Sequence, residues 1–390
     1  MKKLLIIASA LAITAACTKT YDIEPVAQNE ITFGSWTEQL TKAESRVQGT
    51  STFKSGDTFN VYGYKTVNST STNIFTGDVV TAKGATSGDG LDVTAWEYSP
   101  LRFWDAAASS YTFFAVSPSG KVATAPTAEQ TGEYTGLFTS TGITFTGHDN
   151  DVLVATKKVV AAANSTPKYS NDPVVIQFNH VASLIDVKVK KDANLPDGAT
   201  LKITAASLIG VQNKGTFTVA SYDANNKPVI GTTAYGWALA NDSAATTYAN
   251  SEITDQAPLT VSGATTTYNG ETNIGTTTGD AQNLLSNFVL MPQDLSNGAQ
   301  KLSIAYKIVT REAATEPEVV SEISTSFTAE VAIQDFVVTD KNNNAADALS
   351  TSWNPATHYT YTVTIGANAI SFSASINGWA EVSGYRYLVN

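Results

Sequence analysis

Strict alternation of apolar and polar side chains limits what this chain can fold into more than any other feature. From Tyr359 to Ile365 the odd positions are Tyr, Tyr, Val and Ile, and Thr360, Thr362 and Thr364 lie between them. Leu302, Ile304, Tyr306 and Ile308 repeat the pattern, as do Ile370, Phe372, Ala374 and Ile376. Val319, Ile323, Phe327, Val331 and Ile333 share one parity, and Ile143 and Phe145 alternate with threonines. A period of two sends successive side chains to opposite faces of an extended strand, so these segments predict half-buried strands. No stretch carries an apolar stripe at helical spacing. The run Ala155–Ala163 suits a short helix and a strand equally well. The expected fold class is all-β.

Turn-rich spacers punctuate the pattern at Ser87–Gly90, Asp192–Gly198, Asp223–Lys227 and Asp340–Asn344. Two polar stretches poor in large apolar groups, Val67–Thr76 and Asn241–Asp280, read as extended surface loops with room for short strands. The small and polar residues of Asn164–Asp172, with Pro167 inside and Pro173 just beyond, predict a domain boundary. After it the apolar parity changes. Val174, Ile176 and Phe178 are even, whereas Ile185, Val187 and Val189 are odd. A shift of one residue means a β-bulge or a strand that passes from one sheet to another.

The chain opens with Met1-Lys2-Lys3 and a 13-residue apolar run, Leu4–Ala16. That run is too short for a membrane span, which needs about 20 residues, and suits an export signal. Its end carries the only cysteine, Cys17, after Thr14-Ala15-Ala16. Two cleavages fit. A general signal peptidase would cut near Ala8-Ser9-Ala10 or Ala10-Leu11-Ala12 and leave a free thiol. A bacterial lipobox would have Cys17 take lipid and become the new N-terminus, although Thr14 stands where a strong lipobox has Leu. The lipobox better explains why the single cysteine sits there, and several acyl chains give durable anchoring. Residues 1–16 are therefore expected to be a lipoprotein signal peptide. From Cys17 onward, 22 basic residues face 35 acidic ones, a net charge of −13. An acidic body argues against nucleic acid and against electrostatic binding to anionic lipid. With no further cysteine, stability has to come from a buried core.

Nothing in the sequence forms a catalytic constellation. His148, His180 and His358 are far apart, and none has a metal-ligand spacing. Neither a Gly-x-Ser-x-Gly elbow nor a phosphate-cradling loop occurs. Neither enzymatic activity nor a cofactor or metal is expected, and His180 reads as a packed, hydrogen-bonded strand residue. Trp36, Trp96, Trp104, Trp237, Trp353 and Trp379 suit core positions; exposed, they would suit sugar stacking.

Taken in order, several pieces of the chain resemble the fimbrillins of the Bacteroides group, the pilin-like lipoproteins of type V pili. They are the leader ending in Cys17, Ile31-Thr32-Phe33, the stretch Phe53–Tyr62, and Trp104 before Tyr111–Val116. They continue with Val175–His180 followed by Ala182-Ser183-Leu184, with Phe288–Gln293, and with Trp353–Tyr361. The resemblance implies two transthyretin-like β-sandwich domains in tandem, here expected at 47–170 and 171–390. It implies a lipidated segment, 17–46, whose first strand, about Glu30–Trp36, is removed by a protease with Arg or Lys preference. The bond Arg46–Val47 is the first choice for that cut and Lys42–Ala43 the second. It further implies that a strand of a neighbouring subunit fills the vacated groove. The C-terminal tail, with Tyr385, Tyr387 and Val389 alternating, is the candidate donor, and Gly378 and Gly384 would act as hinges. These same segments also read simply as the last two strands of the second sandwich. Expected partners are other fimbrillin subunits, the outer membrane through lipid on Cys17 before processing, and a host or bacterial surface ligand. The competing reading is a surface glycan-binding lipoprotein of a polysaccharide uptake system.

Overall fold

The computed structural model describes residues 29–34, 51–53, 55–84, 93–124, 138–147, 151–163, 168–176, 178–192, 195, 200–222, 228–230, 237–240, 243–249, 272–274, 282–311, 322–339, 351–366, 370–378 and 385–386. Among them every regular element is a β-strand except one short 3-10 turn, Ile333–Asp335. The all-β expectation holds, and the strands pack as sandwiched sheets.

The C-terminal half is the plainer case. One sheet orders its strands Gln282–Leu290, Ser183–Lys191, Thr357–Ile365, Ile370–Gly378 and Val337–Thr339. A second runs Ala245–Ala249, Thr200–Gln212, Lys301–Arg311 and Glu322–Ala332, with Thr272–Ile274 beside Thr200–Gln212. Their inner faces meet in one core. Ile185, Val187 and Val189 on the first sheet pack with Tyr359, Tyr361 and Val363, and face Leu201, Leu208, Leu302 and Ile304 on the second. The alternation read from Tyr359–Ile365 is reproduced in burial, with every odd residue buried and every threonine between them only partly covered.

The N-terminal half centres on a six-stranded sheet. Its strands, in order, are Phe178–His180, Leu153–Val160, Ser110–Ser117, Thr58–Val67, Thr70–Gly84 and Val93–Glu97. The residues left undecided between helix and strand are thus largely a strand, paired along its length with Ser110–Ser117. Two central strands are buried on both faces. Phe59, Val61, Tyr111, Phe113 and Ala115 point into one core. Tyr62, Tyr64, Phe114 and Val116 point into another. The near-continuous burial of Phe59–Tyr64 and Phe113–Ser117 follows from that double covering.

The second of those cores is shared. It brings Phe114, Val116 and Val154 together with Phe217, Trp237, Val289 and Met291. Over it lies a sheet in which Phe138–Thr144 pairs with Lys214–Tyr222, so strands from before and after residue 170 share one sheet. The indole Nε1 of Trp237 donates to the carbonyl of Val181 at 2.8 Å and ties this layer to the crossing between the two halves.

The parity change after Phe178 is that crossing. Phe178–His180 pairs with Leu153–Ala155 in the first sheet. Ser183–Lys191 pairs with Gln282–Leu290 and Thr357–Ile365 in the second. The intervening Val181 and Ala182 are buried in the shared core.

Residues 67–76, read as an extended surface loop with room for short strands, are the outer part of a long hairpin, Thr58–Val67 with Thr70–Gly84. The turn is Asn68-Ser69, both with positive φ (49° and 67°). Such a two-residue turn matches the twist of the strands it joins. The polar composition reflects that Thr70, Thr72 and Asn73 lie on a ribbon that projects past the core into solvent.

Candidate functional site

The segment around Ile31–Gly34, which the fimbrillin resemblance implies is a removable first strand, occupies a groove on the N-terminal core. Ile31 and Phe33 are buried, and the residue between them, Thr32, is half-buried. The Phe33 ring meets Phe59, Phe75, Tyr98 and Phe113, with centroids 5.5–6.0 Å away, all edge-on. An aromatic at this position fills the mouth of the core left open by the six-stranded sheet.

Backbone hydrogen bonds hold the segment from both sides. On one side the Ile31 N–H donates to the Arg102 carbonyl at 2.8 Å, and the Trp104 N–H donates to the Asn29 carbonyl at 2.9 Å. On the other, Phe33–Gly34 runs parallel to Val174–Val175, and the N–H groups of Val174 and Ile176 donate to Thr32 and Gly34 at 2.7 and 3.3 Å. The Tyr98 hydroxyl donates to the Ile31 carbonyl at 2.6 Å. Burial is the main influence on Tyr98 and pushes its pKa up, which keeps that donor protonated.

The wall formed by residues 98–108 is itself braced. Arg102 Nε donates to the Ile74 carbonyl at 2.8 Å, its Nη1 to the Pro100 carbonyl at 2.8 Å, and its guanidinium lies 5.7 Å from the Phe75 ring centre. Asp105 accepts from Lys65 Nζ at 2.7 Å and from the Ala107 N–H at 2.8 Å. The Lys65 hydrogen bond, with that of Ala107, holds the Asp105 carboxyl below its ordinary pKa. Tyr169 stacks on Trp104 at 4.7 Å and donates to the Ala108 carbonyl, and its burial pushes its pKa up to about 12.

Gly34 marks the end of the groove. A Cβ built on it would lie 2.9 Å from Pro173 Cβ, closer than real Cβ atoms approach one another. Sequence reasoning missed Pro173, Tyr98 and Arg102 as parts of the site. The one available signal was a glycine directly after an alternating pair, which often marks a close backbone approach.

The other expected site residues divide. Tyr385 and Arg386 form a short antiparallel pairing with Thr52 and Ser51, just ahead of Phe53 in the N-terminal core. Cys17, Lys42, Arg46, Val47, Tyr387 and Val389 lie outside the described residues. The alternating segment Ile370–Gly378 is a paired strand between Thr357–Ile365 and Val337–Thr339. It belongs to the second sandwich, which leaves the residues after it as the tail.

Histidines and tryptophans serve the cores. His180 is buried with Nδ1 2.9 Å from Asp151 Oδ1, and His358 Nε2 lies 2.8 Å from Asp186 Oδ2. Among the described residues no group of three His, Cys, Asp or Glu side chains could hold a metal ion, and no helix is long and apolar enough to cross a membrane. Trp96, Trp104, Trp237 and Trp353 are buried and offer no flat platform to a sugar; Trp36 and Trp379 lie outside the described residues.

Comparison with known proteins gives consistent results. A family model described as fimbrillin-like matches residues 41–379. No curated protein matches the sequence. Among solved structures, a fimbrial protein from Bacteroides vulgatus shares the fold at TM-score 0.54 and 20% identity, over 90% of this chain and 99% of that one. A candidate cell adhesion protein from Bacteroides uniformis aligns at TM-score 0.44 and 15% identity, over 90% of this chain and 97% of that one.

Proposed function

This chain belongs to the fimbrillin-like family, and from that premise we propose that it is a structural subunit of a type V pilus serving adhesion. In this reading it is exported as a lipoprotein on Cys17, carried to the outer membrane, and cut at Arg46–Val47. The cut releases residues 17–46, including the strand at Ile31–Gly34. The groove then receives a strand from a neighbouring subunit.

The observation that carries the reading is the construction of that groove. Its occupant is a short strand near the chain's beginning, joined to the body by a connection containing Lys42 and Arg46. Two side chains and four backbone hydrogen bonds hold it, so its loss would leave an apolar slot with unpaired N–H and C=O groups on both walls. Such a slot is a template for β-strand addition. No ligand pocket or catalytic chemistry is needed.

N-terminal sequencing of the mature surface protein tests it. A start at Val47 supports processing, whereas a start at Cys17 in assembled protein refutes it. Arg46→Ala together with Lys42→Ala is expected to abolish the ladder of polymers. Undiminished assembly by that double variant would rule out both cleavage sites.

A further inference from the structure

The groove is selective for more than alternating apolar residues. The ring of Pro173 closes its end, and only a residue without a Cβ fits beside it. The resident strand satisfies this with the order apolar, any, apolar, glycine: Ile31-Thr32-Phe33-Gly34. An occupant that replaces it has to place a glycine against Pro173 while its next two same-face side chains fill the sites of Phe33 and Ile31.

The end of the chain contains this order in two places. Val363-Thr364-Ile365-Gly366 matches in the forward direction, but Val363 and Ile365 are buried in the core of the C-terminal sandwich and are not available. The other match is Gly384-Tyr385-Arg386-Tyr387, in which the order is reversed. Around Gly378 the flanking residues do not match, since Trp379 is followed two positions later by Glu381. Beside Gly366, Ala367 and Ala369 are too small to replace Phe33 and Ile31.

We infer that a second copy's tail enters the groove antiparallel to the strand it replaces, with Gly384 against Pro173, Tyr385 in the site of Phe33 and Tyr387 in the site of Ile31. The inference rests on the strand-exchange reading above and adds a direction, a register and a residue that enforces them. Reversal also exchanges the pairing on the walls. The new strand runs antiparallel to 173–176, the direction in which adjacent strands pair slightly better.

Cysteine pairs test the register, because the chain starting at Val47 has no cysteine of its own. Disulfides need Cβ atoms roughly 3.5–4.5 Å apart. Pro173→Cys with Gly384→Cys is expected to give polymers linked by disulfides on oxidation. Pro173→Cys with Leu388→Cys, which would meet in the forward register, is expected to give none. Cross-linking through position 388 and not 384 overturns the inference. Polymers that form but cross-link through neither pair also overturn it and leave strand exchange standing. If processed wild-type protein forms no polymers at all, the strand-exchange reading itself fails. A compensation experiment gives a second readout. Gly384→Val is expected to cut polymer yield at least tenfold, and Pro173→Gly in the same chain to restore most of it. Equal yields from Gly384→Val and wild type refute the steric argument.

Discussion

Replacing Phe33 with alanine in the unprocessed protein tests whether the first strand holds the N-terminal core together. The ring is buried and is ringed by four other aromatic side chains at 5.5–6.0 Å. Truncating a buried phenylalanine costs roughly 3–5 kcal/mol through lost transfer energy and the cavity left behind. The loss has a ceiling, because a weakened strand can detach instead of enclosing a cavity. What the strand contributes is the burial of Ile31 and Phe33, roughly 1.5–3 kcal/mol each. To this are added four backbone hydrogen bonds and one from Tyr98, each worth about 0.5–1.5 kcal/mol net. That sum lies above the truncation cost, so the full loss of roughly 3–5 kcal/mol is expected. With a urea slope of about 2 kcal/mol/M, the midpoint for the N-terminal half falls by roughly 1.5–2.5 M. Hydrogen exchange across a urea series reads this locally, on peptides covering residues 58–67 and 110–117. The control is Phe327→Ala, on an edge strand with 40% of its surface exposed, which is expected to leave those peptides unchanged. A midpoint shift below about 0.5 M for Phe33→Ala would mean that the core does not depend on this strand, and the groove argument would fall with it.

Three further outcomes follow from the same geometry. Asp105 has its pKa lowered in the folded chain, so the stability it adds is present above the ordinary carboxylate value of about 3.9 and is lost as pH falls below it through the lower folded value; Asp105→Asn should flatten that acid limb in a pH series of thermal melts and leave the neutral-to-alkaline limb unchanged in shape. Gly63 sits between Phe75 and Phe113, where a Cβ would lie 2.7 Å from the Phe75 ring, and Gly63→Ala should destabilise the N-terminal half by roughly 1–3 kcal/mol in urea titration. Asp186 accepts the Asn287 N–H at 2.7 Å, where Asn287 takes a positive φ, and also meets His358; Asp186→Ala leaves both without that acceptor and should cost roughly 1–3 kcal/mol, read on exchange of peptide 282–290.

Much of this architecture was legible because the strands of the C-terminal sandwich are covered on one face. Tyr359–Ile365 and Leu302–Ile308 alternate in sequence and in burial for the same reason. The crossing between the halves was legible too, since a strand that changes sheets has to change the parity of its buried side chains. The shared layer was not. Phe114 and Val116 fall on the face opposite Phe113 and Ala115, and a strand apolar on both faces does not reveal what covers the second. The partner turned out to be strands from both sides of residue 170, a pairing between Phe138–Thr144 and Lys214–Tyr222 that local pattern cannot show. The hairpin at residues 67–76 was hidden by its polarity, and only Asn68-Ser69 hinted at a turn. At the candidate site, Ile31 and Phe33 were legible as a strand. Pro173 was not, because its role arises from a contact with a residue 139 positions away.

The contrast between two strands shows why the proposed exchange would be confined to one place. Ser183–Lys191 pairs with Thr357–Ile365 at nine consecutive residues and with Gln282–Leu290 on its other side. It also carries four of the buried side chains on which the halves depend, Leu184, Ile185, Val187 and Val189. Removing it would unmake both a sheet and a core. The segment Asn29–Gly34 joins its neighbours through four backbone hydrogen bonds and two buried side chains, and no strand of the six-stranded sheet pairs through it. Its loss opens a slot without dismantling that sheet. In the proposed exchange the same economy would make the slot demanding: with only two side chains to place, an incoming strand would gain little from a shifted register and would meet Pro173 if it lacked glycine there. Steric exclusion at one residue would then do for register what a longer strand does by pairing.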